Sequence, residues 1–221
     1  MSRQDNHDII DVVTLSLQQD DTLSKNKYII DKDNTNRRTE LSYTTIEAKK
    51  EINQGIQLLQ KRGYFLLTKQ DTQSYLKAAQ YIEKAIMYDS NYINAYNILT
   101  QIYYKLDSNK LALDVLNRLL IVKPNSIEAI TTKGFVYERI GLIEKANLHY
   151  IKALHLYSNQ FDKSKTDYIN EAFLYLLLYG EKDGIKEIQK VKNMYPDGNI
   201  ENYILQFNNF NRGEFIKHAL D

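Results

Sequence analysis

From Tyr43 onward, apolar residues return every three or four positions and are interrupted by short polar clusters, a pattern that predicts successive amphipathic helices. Ahead of Tyr43 no such period is sustained. Residues 1–43 carry the polar run DKDNTNRR at 31–38 and read as a partly flexible polar arm, with one short helix predicted in DIIDVVTLSLQQ. The interruptions in the body recur. Aligning IMYDSN (86–91), IVKPNS (121–126), LHLYSN (154–159) and VKNMYP (191–196) gives intervals of 34 residues from Ser90 to Pro124, 34 from Pro124 to Ser158 and 38 from Ser158 to Pro196. A period of this length is a two-helix unit.

Residue size follows the same register. Ala78, Ala112, Ala146 and Gly184 stand twelve positions before each break, Ile82, Leu116, Tyr150 and Ile188 eight before it, and Ala85, Leu119, Ala153 and Val191 five before it. Small residues let two helices approach closely, and the larger ones fill the space around them. The segment INAYNILTQIYYKLDSNKLALDVLNRLLIVKPNS (93–126), with Tyr96, Leu99, Tyr103, Ala112, Leu116 and Pro124, resembles the tetratricopeptide repeat family. Residues 127–160 supply Gly134, Tyr137, Gly141, Ala146, Tyr150 and Ala153 at the matching places. Thr100 replaces the usual small residue, Ile130 the aromatic and Ser158 the proline. An upstream copy lies within 44–90, and a fourth follows an insert around FDKSK, within 165–198. The tail, 200–221, reads as a capping helix or partial repeat, since terminal units of a solenoid must present one face to water.

The resemblance implies an all-α, right-handed α-solenoid of about four helix pairs over 44–199 with a C-terminal cap. It also implies a concave groove lined by the first helix of each pair. Carried onto this chain, the groove positions are Asn94, Asn97, Gln101, Tyr104 and Lys105 in one repeat and Glu128, Thr131, Phe135, Glu138 and Arg139 in the next, with Tyr64 before them and Phe173 after them. Asn and Gln would pair with a peptide backbone, and Tyr and Phe would anchor by burial. Tyr104 and Phe135 have an alternative role in covering a neighbouring helix or the arm. The basic groove pattern of carboxylate-clamping relatives is missing at Asn97, Gln101, Thr131 and Phe135, which argues against a chaperone-tail clamp.

Composition supports helices and narrows the chemistry. Two prolines and eight glycines in 221 residues suit long helices better than a turn-rich sandwich. With 29 Lys plus Arg against 28 Asp plus Glu, the net charge of +1 provides no global field for a phosphate backbone, so nucleic acid is not the expected partner. The absence of cysteine excludes disulfides, a thiolate nucleophile and Cys-ligated metals. His7, His149, His155 and His218 are scattered without metal-ligand spacing, and neither a phosphate loop nor a GxSxG elbow occurs. No enzyme activity, metal or cofactor is expected.

The acidic start MSRQDNHDIIDVV and the lack of an 18-residue apolar run predict no membrane insertion for the chain as it stands and a cytoplasmic location, with removal of an export segment left open. The expected function is a protein-interaction module, a scaffold or co-chaperone-like adaptor receiving a peptide or protein segment in its groove. The alternatives are an assembly component that self-associates as a homo-oligomer and, more remotely, a nucleic-acid-associated regulator.

Overall fold

A computed structural model describes residues 46–55 and 69–220. The polar arm and Tyr64 lie outside the described residues, which are helical throughout apart from turns. In chain order the helices are α1 (46–55), α2 (Lys69–Tyr88), α3 (Ile93–Lys105), α4 (Asn109–Val122), α5 (Ile127–Arg139), α6 (Ile143–Ser158), α7 (Lys165–Tyr179), α8 (Glu181–Met194), α9 (Glu201–Asn208) and α10 (Arg212–His218). They form two units that adjoin in sequence at Pro124–Asn125. Consecutive helices from α2 to α4 in one unit and from α5 to α9 in the other pack on one another, so the architecture is the all-α solenoid of tetratricopeptide-like helix pairs expected from the sequence.

The size pattern read from the sequence is the packing pattern of the helices. Ala78, Ile82 and Ala85 of α2, and Ala112, Leu116 and Leu119 of α4, are all buried. So are Ala146, Tyr150 and Ala153 of α6, and Gly184, Ile188 and Val191 of α8. Glycine marks the closest approaches. A Cβ on Gly134 of α5 would lie 2.3 Å from Cε1 of Tyr150, and one on Gly184 of α8 would lie 2.6 Å from Cβ of Leu176 in α7. The departures from the repeat pattern are absorbed locally. Thr100 is buried, but its hydroxyl donates to the Tyr96 carbonyl at 2.8 Å, so the extra polar atom is satisfied within α3. Ile130 is fully buried in place of an aromatic ring.

In the unit ending at Pro124, an ion pair ties α2 to α4. Arg118 Nη1 and Nη2 donate to Glu83 Oε1 and Oε2 at 2.9 and 2.8 Å, a bidentate arrangement that raises the guanidinium's affinity for its proton. The Tyr96 hydroxyl donates to the Ser90 carbonyl at 3.0 Å, so the ring is core while its polar tip reaches a turn.

The turns repeat as faithfully as the helices. Asp107, between α3 and α4, and Gly141, between α5 and α6, are 34 residues apart and both left-handed, with φ of 55° and 78°. In each turn the following amide bonds back to a tyrosine carbonyl, Ser108 N to Tyr103 O at 2.8 Å and Leu142 N to Tyr137 O at 2.9 Å. This is the Schellman closure of a helix C-terminus. The insert before α7 ends in a capping box. The Asp167 amide donates to Ser164 Oγ at 3.2 Å, and the Ser164 amide donates to Asp167 Oδ2 at 2.8 Å.

Candidate interaction face

In the unit that begins at Asn125, the first helices of the two pairs, α5 and α7, share a face. Glu128, Thr131, Thr132 and Phe135 of α5 and Asn170, Phe173 and Leu174 of α7 line a groove of about 280 Å³, with Tyr157 of α6 also on its wall. Burial pushes the Tyr157 hydroxyl up in pKa, against the opposing pull of its hydrogen bond with Asn170. Past Phe173 the face continues into a larger cleft of about 730 Å³ between α7 and the C-terminal helices, whose walls include Ile169, Tyr203, Phe207, Phe210 and Phe215.

The C-terminal helix α10 closes back on this face, against α5. Phe215 inserts edge-on between two rings, 5.3 Å from the centroid of Phe135 and 4.8 Å from that of Phe173. Phe210 meets Phe173 perpendicularly at 5.6 Å, and Phe207 lies 6.1 Å from it. Beside this aromatic cluster sits Glu138, whose side chain is only 7% exposed. It accepts hydrogen bonds from the Tyr150 hydroxyl at 2.8 Å, from Arg212 Nη2 at 3.0 Å and from Arg212 Nε. The third guanidinium nitrogen, Nη1, donates to the carbonyl of Leu177 in the last turn of α7, where the helix leaves carbonyls without internal partners. Bonding to Glu138 raises the Arg212 pKa over its ordinary value.

The residues assigned to a groove from the sequence fall in different settings. Phe135, Glu138 and Phe173 converge on α10, while Glu128 and Thr131 line the smaller groove and Arg139 is half-buried at the end of α5. In the other unit, Asn94 and Gln101 of α3 are exposed, and Asn97 and Lys105 are half-buried. Tyr104 is fully buried. Phe135, 8% exposed, is likewise covered.

Sequence reasoning missed Phe210, Arg212 and Phe215, which were assigned only to a cap. The signal was present as an excess of aromatics in the tail, Tyr203, Phe207, Phe210 and Phe215, more than a short helix with one wet face needs. His149 has a structural setting. Its Nδ1 lies 2.8 Å from the Lys145 carbonyl and its ring packs on Tyr137 at 5.0 Å. Among the described residues no group of three or more His, Asp or Glu side chains is placed to hold a metal ion, and no helix is long and apolar enough to cross a membrane.

No family model matches the chain. Over 125 residues, 57% of its length, it is 28% identical to anaphase-promoting complex subunit 3 of Schizosaccharomyces pombe. It spans 18% of that relative. Two crystal structures of MamA are similar at TM-score 0.38, one at 19% identity over 75% of this chain and 95% of its own, the other at 16% over 70% and 91%.

Proposed function

We propose that the chain is a protein-interaction module, a scaffold or co-chaperone-like adaptor, whose α5–α7 face receives a segment of another protein. The observation that carries this reading is that the face already holds a helix: α10 is seated by one ring between Phe135 and Phe173 and by one guanidinium on Glu138. Packed aromatic rings beside a buried carboxylate paired with a half-exposed arginine are the composition of a binding hot spot. The neighbouring groove at Thr131 and Asn170 offers short polar groups to a peptide backbone. The test is a photo-crosslinking side chain placed in turn at Thr131, Asn170 and, as a control on α8, at the exposed Lys186. Adducts with a segment of another protein at Thr131 and Asn170, absent at Lys186, are expected. Adducts only at Lys186 would sink the reading.

A second reading, self-association, is favoured by Phe161, which is wholly exposed in the loop between α6 and α7. It requires a sedimentation mass that rises with protein concentration and falls back in Phe161→Ser. A constant monomer mass excludes it.

A further inference from the structure

Resting on that reading, we infer that α10 is a displaceable resident of the α5–α7 face, and that the partner segment carries the spacing of Phe210, Arg212 and Phe215: aromatic, any residue, arginine, any two residues, aromatic. Each part of this pattern answers a feature of the face. The carboxylate of Glu138 is almost removed from water, and among the described residues its cationic partner is the Arg212 guanidinium, which simultaneously fills the Leu177 carbonyl. A buried carboxylate deprived of its cation is strongly disfavoured, so an incoming segment must bring a replacement. Arginine fits better than lysine because three different nitrogens are used, two on Glu138 and one on a carbonyl in a different helix. The second aromatic occupies the slot between Phe135 and Phe173, and the first packs against both Phe173 and the second aromatic.

The resident is weakly held by the rest of its length. Helix α10 has seven residues, of which Ile216 alone is buried. It also carries Gly213 in its first turn, where a Cβ would meet nothing closer than Asn211 Oδ1 at 3.6 Å. Glycine there lowers helix propensity with no steric need for it. Such a segment suits exchange with an equivalent one, and the face's apparent affinity is reduced by the fraction of time α10 occupies it.

The experiment measures fluorescence anisotropy of a labelled peptide of residues 207–221 added to the full-length chain. The Arg212→Ala/Phe215→Ala chain should bind it at least tenfold tighter than the wild type, and adding Glu138→Gln should abolish that gain. A peptide with alanine at both of those positions should not bind. Gly213→Ala, which stiffens the resident helix without touching the face, should weaken peptide binding about twofold to fourfold relative to wild type. This arm decides the matter if circular dichroism finds the double variant unfolded.

Equal affinity for wild type, the double variant and Gly213→Ala, or no peptide binding by any of them, overturns the inference. A wild-type dimer that becomes monomeric in the double variant also overturns it, assigning the face to the C-terminal segment of a second copy. Failure here is separable from failure of the functional reading. Partner adducts at Thr131 that are equally strong in wild type and the double variant would reject displacement and leave the face as a binding surface.

Discussion

At Gly134 the absence of a side chain is what lets α5 and α6 pack. A Cβ there would meet the Tyr150 ring at three carbons, the nearest at 2.3 Å, and that ring cannot retreat because its hydroxyl is held on Glu138. Gly134→Ala should therefore destabilise the fold by about 1–3 kcal/mol, measured by urea denaturation, although alanine normally strengthens a helix. The same logic applies to Ala112 and Ala146, both fully buried, where leucine should produce a loss of similar size. A melting curve unchanged in all three would break the assigned register.

Turn residues act in the opposite direction. Asp107 and Gly141 hold equivalent left-handed positions, but only one of them is a glycine. Asp107→Gly should gain about 0.5–1 kcal/mol and Gly141→Ala lose about 1 kcal/mol, a reversal of sign between two repeats of the same design. Asp107 also accepts from Asn109 Nδ2 at 2.9 Å, so the gain belongs at the lower end of that range.

At the scale of helices, the entry to α7 depends on the reciprocal bonds between Ser164 and Asp167. Ser164→Ala should cost about 1 kcal/mol, read as a shift of the denaturation midpoint. No change would mean that the packing of α7 on α8 holds the helix without its cap. Helix pairing was legible in the sequence because close approach demands small residues, and these recur with the breaks: Ala112 and Ala146 announce both the existence of a pair and the line along which its helices touch. The destination of α10 was not legible. A seven-residue helix has too few positions for its periodicity to reveal which surface it meets, and Glu138 and Arg212, 74 residues apart, carry no local sign of their pairing. The groove assignment located Phe135, Glu138 and Phe173 by analogy of position. That their neighbour would be α10 depends on contacts across 74 residues of sequence, which a repeat pattern of 34 residues does not contain.

At the scale of the whole molecule, burial of tyrosine hydroxyls among the described residues gives the fold a pH limit. Burial pushes up the hydroxyls of Tyr103 in α3 and Tyr157 in α6, one in each unit. Tyrosine is neutral when protonated, so a folded-state pKa above the unfolded value means that the native state retains its proton more tightly. The stabilisation linked to it is complete below the unfolded value near 10 and is lost as the pH rises through the folded value. Stability in urea should thus hold between about pH 8 and 9 and fall above about pH 10, with tyrosinate absorbance appearing alongside loss of helix and not before it. The assignment rests on Tyr103→Phe and Tyr157→Phe. Each removes an ionisable hydroxyl while keeping the ring, and each should flatten the alkaline decline. An unchanged decline in both variants would remove Tyr103 and Tyr157 as its source and leave Tyr175 and Tyr179, which burial also pushes up. Phe at 157 also removes the hydrogen bond with Asn170, so its stability near neutral pH should drop slightly even as its alkaline decline shrinks, a pair of opposite changes that loss of packing alone would not produce.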